Sequence, residues 1–245
     1  MHSGKKFVGL DVERFEICSK KVEGKVRIAL VSDLHGVDRV DVCEQLDKLK
    51  PDIIAVAGDL FDGVQDPQDA LNFISRLKKT CGRILFVSGN HEFYRGDRDL
   101  LYGKLTDLGV QLLDGKSEII NNIQFYGLID ERFDDYQSQK SRLQNRDNTD
   151  RFEVLLYHRA DKFGEVCGLG FPLVLSGHVH GGQWRAGRIG LLGPGNTLFP
   201  KYTSGKYEKD GCVLIVSRGL GDHMILPRIN DVWHLPVIDL LPCES

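Results

Sequence analysis

No stretch of the 245-residue sequence approaches the roughly 18 consecutive apolar residues that a membrane-spanning helix needs. The opening run from Met1 to Val8 carries charge but lacks the apolar core of a secretion signal, so a cytoplasmic protein without a transmembrane anchor is expected. Cysteine is present but unpatterned. There are six, with no Cys-x-x-Cys pair, and several, such as Cys212, sit in apolar runs where the thiol behaves as a small hydrophobe. Free thiols in a reducing compartment follow. An excess of positive charge is also missing: Lys and Arg total 32 against 35 Asp and Glu, and the pairs Lys20-Lys21 and Lys78-Lys79 read as solvated faces. That argues against an extended nucleic-acid surface, which relies on many cations facing phosphates. No Gly-x-x-x-x-Gly-Lys-Ser/Thr loop appears, which removes a P-loop nucleotide switch. Internal repeats and linker-like boundaries are absent as well, and one domain over residues 1–245 is expected.

What the chain does have is a series of short apolar runs. Val26 to Val31, Asp52 to Ala57 and Arg83 to Val87 read as buried strands. Val40 to Lys50, about Pro67 to Lys79, and Leu100 to Leu108 space their apolar residues as helices do. Strand and helix alternating three times make a βαβαβ unit, hence a parallel sheet with right-handed crossovers. In the second half, Val110 to Leu113, Glu118 to Ile120, Ile123 to Tyr126, Phe152 to Tyr157, Leu173 to Leu175, Val213 to Ser217 and Val232 to Leu240 read as extended. The polar stretch from Asp130 to Arg151 is expected as a mobile surface loop or partly exposed helix, and Gly181 to Pro200 as an irregular loop.

Most of these runs end in polar clusters: Asp33-Leu34-His35, Gly58-Asp59-Leu60-Phe61-Asp62, Gly89-Asn90-His91-Glu92, the lone His158, and Gly177-His178-Val179-His180-Gly181-Gly182. Residues just past the carboxyl ends of parallel strands converge on one crevice. Carboxylates, an amide and imidazoles together suit two borderline or hard divalent ions. In an extended strand, positions i and i+2 point to one side, so Asp33 with His35, and His178 with His180, can each grip a cation. Singly, each cluster has a plainer reading: Asp59 as a helix cap, Asn90 as a turn residue, His158 as an ordinary core histidine. Jointly, polar groups at such strand ends are costly unless they find partners, which cations would supply.

In this order and spacing the five clusters resemble the calcineurin-like metallophosphoesterase superfamily, over about residues 26 to 183. The resemblance implies an α/β fold, a four-layer α/β/β/α sandwich of two mixed sheets flanked by helices. It further implies one metal on Asp33, His35 and His180, another on Asn90, His158 and His178, and Asp59 bridging both. The ions expected are Mn²⁺, Fe, Zn²⁺ or Mg²⁺. His91, its ring held by Asp62, would approach the scissile phosphate, while the ion pair acidifies a bridging water that attacks phosphorus in line. Gly181-Gly182-Gln183, Lys206-Tyr207 and Ser217-Arg218-Gly219-Leu220-Gly221 resemble one bacterial phosphodiesterase branch, which includes diacylglucosamine pyrophosphatases. Arg159-Ala160 departs from the acidic residue and proline usual there.

A small phosphodiester or pyrophosphate is therefore the expected substrate, ahead of a phosphomonoester. Leu198, Phe199, Trp184, Tyr202 and Tyr207 are candidates for an apolar wall, and Arg218, Arg228 and His223 for a second phosphate. The alternatives are a non-catalytic metal-binding scaffold on the same fold and a nuclease of the same superfamily.

Overall fold

Two six-stranded sheets face each other in the computed structural model, which describes residues 9–63, 65–222 and 227–243. The first sheet holds β1 (Leu10–Ser19), β2 (Val26–Val31), β3 (Ile53–Ala57), β4 (Ile84–Val87), β5 (Val110–Leu112) and the C-terminal strand Trp233–Pro242. The C-terminal strand lies between β1 and β2, parallel to the former and antiparallel to the latter. From β2 to β5 the pairing is parallel throughout. The second sheet holds β6 (Ser117–Ile120), β7 (Ile123–Leu128), β8 (Phe152–Arg159), β9 (Leu173–Gly177) and the hairpin Gly205–Lys209 with Cys212–Val216. Its middle is parallel, β7 to β8 to β9 to Cys212–Val216, with an antiparallel partner at each edge.

Side chains alternate across a strand, so each central strand feeds two cores. Ile28 and Leu30 of β2, Ile53 and Ala55 of β3, and Val154 and Leu156 of β8 meet between the sheets. Ala29 and Val31, with Ile54 and Val56, turn outward under the helices of the first sheet. Those helices are α1 (Val40–Leu49), α2 (Gln68–Thr80), the single turn α3 (Asn90–Phe93) and α4 (Arg98–Asp107). Leu155 and Tyr157 turn outward on the second sheet, beneath α5 (Tyr136–Gln144) and α6 (Phe163–Val166). This gives four layers, helix, sheet, sheet, helix. Apolar runs covered on both faces are what such a sandwich demands.

Two elements differ from the sequence reading, β1 and the 181–200 segment, and α5 settles which of the two readings of 130–151 holds. β1 is a full strand, yet Asp11, Glu13, Arg14 and Glu16 interrupt its apolar residues because it is the sheet's edge. Within 130–151, α5 buries Tyr136, Gln139 and Leu143, and the Gln139 amide oxygen accepts the Ile129 N–H at 3.1 Å. Within 181–200, two short ladders form, Arg185–Ala186 with Ile189–Gly190 and Leu192–Gly193 with Thr197–Leu198.

Candidate metal centre

The strands β2, β3, β4, β8 and β9 all deliver their carboxyl ends to one edge of the sandwich. Backbone ties join the loops there: Asp33 N–H donates to Gly58 O at 3.1 Å, and His35 N–H to Asp59 O at 3.0 Å. The side chains do not converge by strand alternation, which corrects the i, i+2 argument. Asp33 (φ 51°), His35 (φ 50°), Asp59 (φ 51°), His178 (φ 78°) and His180 (φ 47°) all lie in the left-handed region. Each such residue without glycine's freedom stores about 1 kcal/mol or more, and backbone strain of this kind clusters at functional sites. His158 arrives differently, where a register shift lies between Leu156 and Arg159 of β8. Gly89 is required by contact, since a Cβ there would fall into the Asp59 carboxylate.

Two groups of ligand atoms lie apart, Asp33, His35 and His180 in one and Asp59, His158 and His178 in the other, and a third group of His35, Asp59 and His91 overlaps both, with the atoms of each within 4.8 Å of one another. His35 Nε2 and His180 Nε2 stand 3.2 Å apart, as do His178 Nδ1 and His158 Nε2. Asp59 Oδ2 lies 3.1 Å from His158 Nε2 and 4.0 Å from His35 Nε2, facing both groups. Asn90 Oδ1 is buried and meets no hydrogen-bond donor among the described residues. An orphaned amide oxygen beside converging ring nitrogens is the donor set a divalent cation satisfies, so these residues fit a metal. His91 lies alongside, with Nδ1 3.2 Å from Asp62 Oδ1. Its ring edge packs on His35 at 4.7 Å.

Electrostatics agree with that fit. Burial works against ionisation of Asp59, but the adjacent His158 charge outweighs it and holds the carboxyl well below its usual range. Burial likewise opposes a charge on His158, yet Asp59 and Asp33 push it up to about 10. The site thus favours positive charge at that point. Burial and the neighbouring charges of His158 and Arg159 keep His178 well below the usual imidazole range. Burial, with His35 and Arg228, does the same to His180. Neutral imidazoles keep the lone pairs that metal ligation requires.

Several supporting groups were not assigned from the sequence. Glu92 is fully buried and accepts three peptide N–H groups: Asp59 at 3.0 Å, Phe61 at 3.0 Å and Gly89 at 2.7 Å. Its position three residues after the start of a helical turn was the legible signal. Arg159 Nη1 stands 3.2 Å from His178 Nε2, while Asp130 accepts from Arg159 Nε at 2.6 Å, so a fixed guanidinium faces the outer nitrogen of the ring. Arg228 Nη2 faces His180 Nδ1 at 3.2 Å and is anchored by Asp222 and Asp231.

The residues expected to meet substrate sit elsewhere or are engaged. Arg218 is buried, donating to Asp11 at 2.8 Å, Ser204 at 2.9 Å and Val232 O at 3.1 Å, so its guanidinium is used in the fold. Arg228 backs His180, as described. Trp184 donates its indole N–H to Pro227 O at 3.1 Å. Tyr202 is buried against Phe163, and the Tyr207 hydroxyl accepts the Thr203 N–H. His223 lies outside the described residues. Beside the ligand groups is a cavity of about 390 Å³, walled by Tyr94 and Arg132 on one side and Leu192 to Gly195 on the other. Leu198 and Phe199 of the same loop are exposed and do not line it. A larger cleft of about 750 Å³ shares no residue with either ligand group.

The calcineurin-like phosphoesterase family profile matches residues 26–182. A putative metallophosphoesterase of Caenorhabditis elegans is 32% identical over 182 residues, covering 65% of this chain and 37% of the relative. An uncharacterized metallophosphoesterase of Aquifex aeolicus is 29% identical over 227 residues, covering 86% and 84%. The chain spans well under two thirds of the length of the Caenorhabditis elegans relative, and 59% of a Helicobacter pylori metallophosphoesterase. Among solved structures, phosphopantetheinyl hydrolase of Mycobacterium tuberculosis shares the fold with a TM-score of 0.53 at 13% identity, over 82% of this chain and 91% of that one. Such low identity speaks for the fold alone. The profile match over more than half of the chain, together with these relatives, shows that it belongs to the calcineurin-like phosphoesterase family.

Proposed function

We propose that this chain, acting as one domain, is a dinuclear-metal hydrolase of phosphoric esters that prefers a phosphodiester or pyrophosphate. Asp33, His35 and His180 would hold one ion, and Asn90, His158 and His178 the other. Asp59 would be shared. The observation that carries the reading is Asp59 Oδ2, one buried carboxylate oxygen facing both ligand groups at 3.1 and 4.0 Å from their imidazoles. Mn²⁺, Fe, Zn²⁺ and Mg²⁺ all suit a set of carboxylate, amide and imidazole donors. Divalent cations there would supply the charge that neutralises a phosphoryl group and acidifies water.

The protein's own residues then have definite tasks. Ala57 O accepts His158 Nδ1–H at 2.7 Å, which leaves Nε2 as the ligating nitrogen. The peptide N–H of His91 donates to Asp59 Oδ1 at 2.8 Å, orienting the shared carboxylate. Asp62 accepts from His91 Nδ1, so the ring's other nitrogen can carry a proton to the leaving oxygen, a step usually worth about 10²–10⁴-fold. Gln183, the last residue of the Gly-His-x-His-Gly-Gly-Gln run, is buried and lines the cavity, which favours the bacterial phosphodiesterase branch. Six free thiols, four of them buried, favour a reducing, cytoplasmic setting. No helix among the described residues is long and apolar enough to cross a membrane.

The test is reconstitution with each metal in turn, followed by elemental analysis and assay on a diester, a pyrophosphate and a phosphomonoester. Two ions per chain and faster diester or pyrophosphate hydrolysis are expected. No uptake of any divalent ion would end the proposal, and a monoester turned over fastest would remove its substrate preference.

A further inference from the structure

Among the residues lining the cavity beside the ligand groups, Arg132 is the only lysine or arginine. It is also uncommitted. Among the described residues its guanidinium meets no carboxylate within ion-pair distance and donates no hydrogen bond. The acids next to it in sequence are directed elsewhere. Asp130 pairs with Arg159 at 2.6 Å, and its Oδ1 accepts the Arg132 peptide N–H at 3.0 Å. Glu131 turns to Arg159 at 3.5 Å and Lys162 at 3.3 Å. Meanwhile the Arg132 guanidinium lies over the Tyr94 ring, 5.3 Å from its centroid. A cation–π contact of this kind orients the fork without neutralising it.

We infer that Arg132 is a specificity-determining residue that binds a second anionic group of the substrate, in a subsite walled by Tyr94 and Pro194. This rests on the phosphoesterase reading of the adjoining ligand groups. A bare phosphoryl group would leave most of a 390 Å³ cavity unused, so the substrate carries a further portion into it. Ions at the ligand groups would neutralise the scissile phosphate. The guanidinium then remains the one full positive charge in the wall, and its planar fork matches a carboxylate or a second phosphate. The substrate class is thus an organic phosphoester bearing another anion within one side chain's reach of the first.

Binding tests the inference independently of turnover. Metal-loaded protein is titrated calorimetrically with isobutyl phosphate and with 2-phosphoglycolate, which add groups of like size and shape, without and with a carboxylate respectively. The parent should bind phosphoglycolate at least about tenfold more tightly, as expected for one charge-assisted contact. In Arg132→Gln that ratio should fall to near unity, and Arg132→Lys should keep part of it. Metal content and melting temperature of each variant confirm the fold. A parent that binds both ligands equally, or neither, overturns the inference, as does an Arg132→Gln variant that keeps the full preference. Selective binding without hydrolysis of any phosphoester would leave the subsite standing and refute the hydrolase reading instead.

Discussion

The two sheets meet at the candidate centre but hold their side chains by different means. The first sheet contributes every carboxylate and the amide: Asp33, Asp59, Asp62 and Asn90. Its loops are braced by peptide groups, above all the three N–H bonds gathered by Glu92. The second sheet contributes only imidazoles, His158, His178 and His180. Two of those rings face guanidiniums, Arg159 and Arg228, each fixed by a buried aspartate. Anionic ligands can be steadied by backbone amides, which are everywhere. Those two rings instead face fixed cations from a neighbouring strand end or loop, which together with burial keep them unprotonated. The comparison teaches that support follows ligand chemistry, not sheet membership.

The sharpest way to break the comparison is to remove the group the two halves share. Asp59→Asn should lower phosphoesterase turnover by at least about 10³-fold and reduce bound metal below two per chain, read by elemental analysis. Next, His91→Ala should cost about 10²–10⁴-fold in kcat while metal stoichiometry stays at two, because its ring belongs to neither ligand group of the proposal. A smaller effect sharpens the contrast in support. Arg159→Gln should tighten metal binding by up to about tenfold in a chelator competition, because it removes a cation that faces the His178 ring and repels a metal ion. Unchanged affinity would mean that the guanidinium has no influence on the second sheet's rings.

The smallest effect lies outside both edges, at Asp239 of the C-terminal strand. Hydrogen bonds from Arg27, at 2.6 and 2.8 Å, hold its carboxyl down at about 2, against a partial opposing effect of burial. A folded value below the unfolded one stabilises the fold above about pH 4, and that contribution is lost as pH falls toward 2. Asp239→Asn should therefore cost about 1–2 kcal/mol at neutral pH and little near pH 2, measured by urea unfolding across that window.

Much of the fold was legible because its central strands are covered on both faces, and continuous apolar runs such as Ile53 to Ala57 cannot lie elsewhere. β1 escaped notice because an edge strand spends its outward positions on charge. For 130–151 the sequence left a loop and a partly exposed helix open, and α5, with three of its nine residues buried, is the helix. At the centre, the candidate ligands could be picked out because polar clusters directly follow those runs. The manner of their convergence could not: Asp and His enter left-handed backbone more readily than most side chains, but most Asp and His residues do not, so residue type does not single out Asp33, His35, His178 and His180. Nor did Arg132 stand out, since one arginine in a polar stretch resembles any other until its neighbours are seen to be paired away from it.

Apolar periodicity and polar punctuation, local properties that each segment carries alone, were enough for a parallel α/β unit, and the order of the polar clusters identified the family by resemblance and with it the layered sandwich. Which nitrogen of each ring faces inward, which arginines face the histidines and which one is left to meet a ligand were decided only in three dimensions. Those choices depend on hydrogen-bond partners brought together from distant segments, as when Asp33 accepts the His178 N–H across 145 positions of sequence.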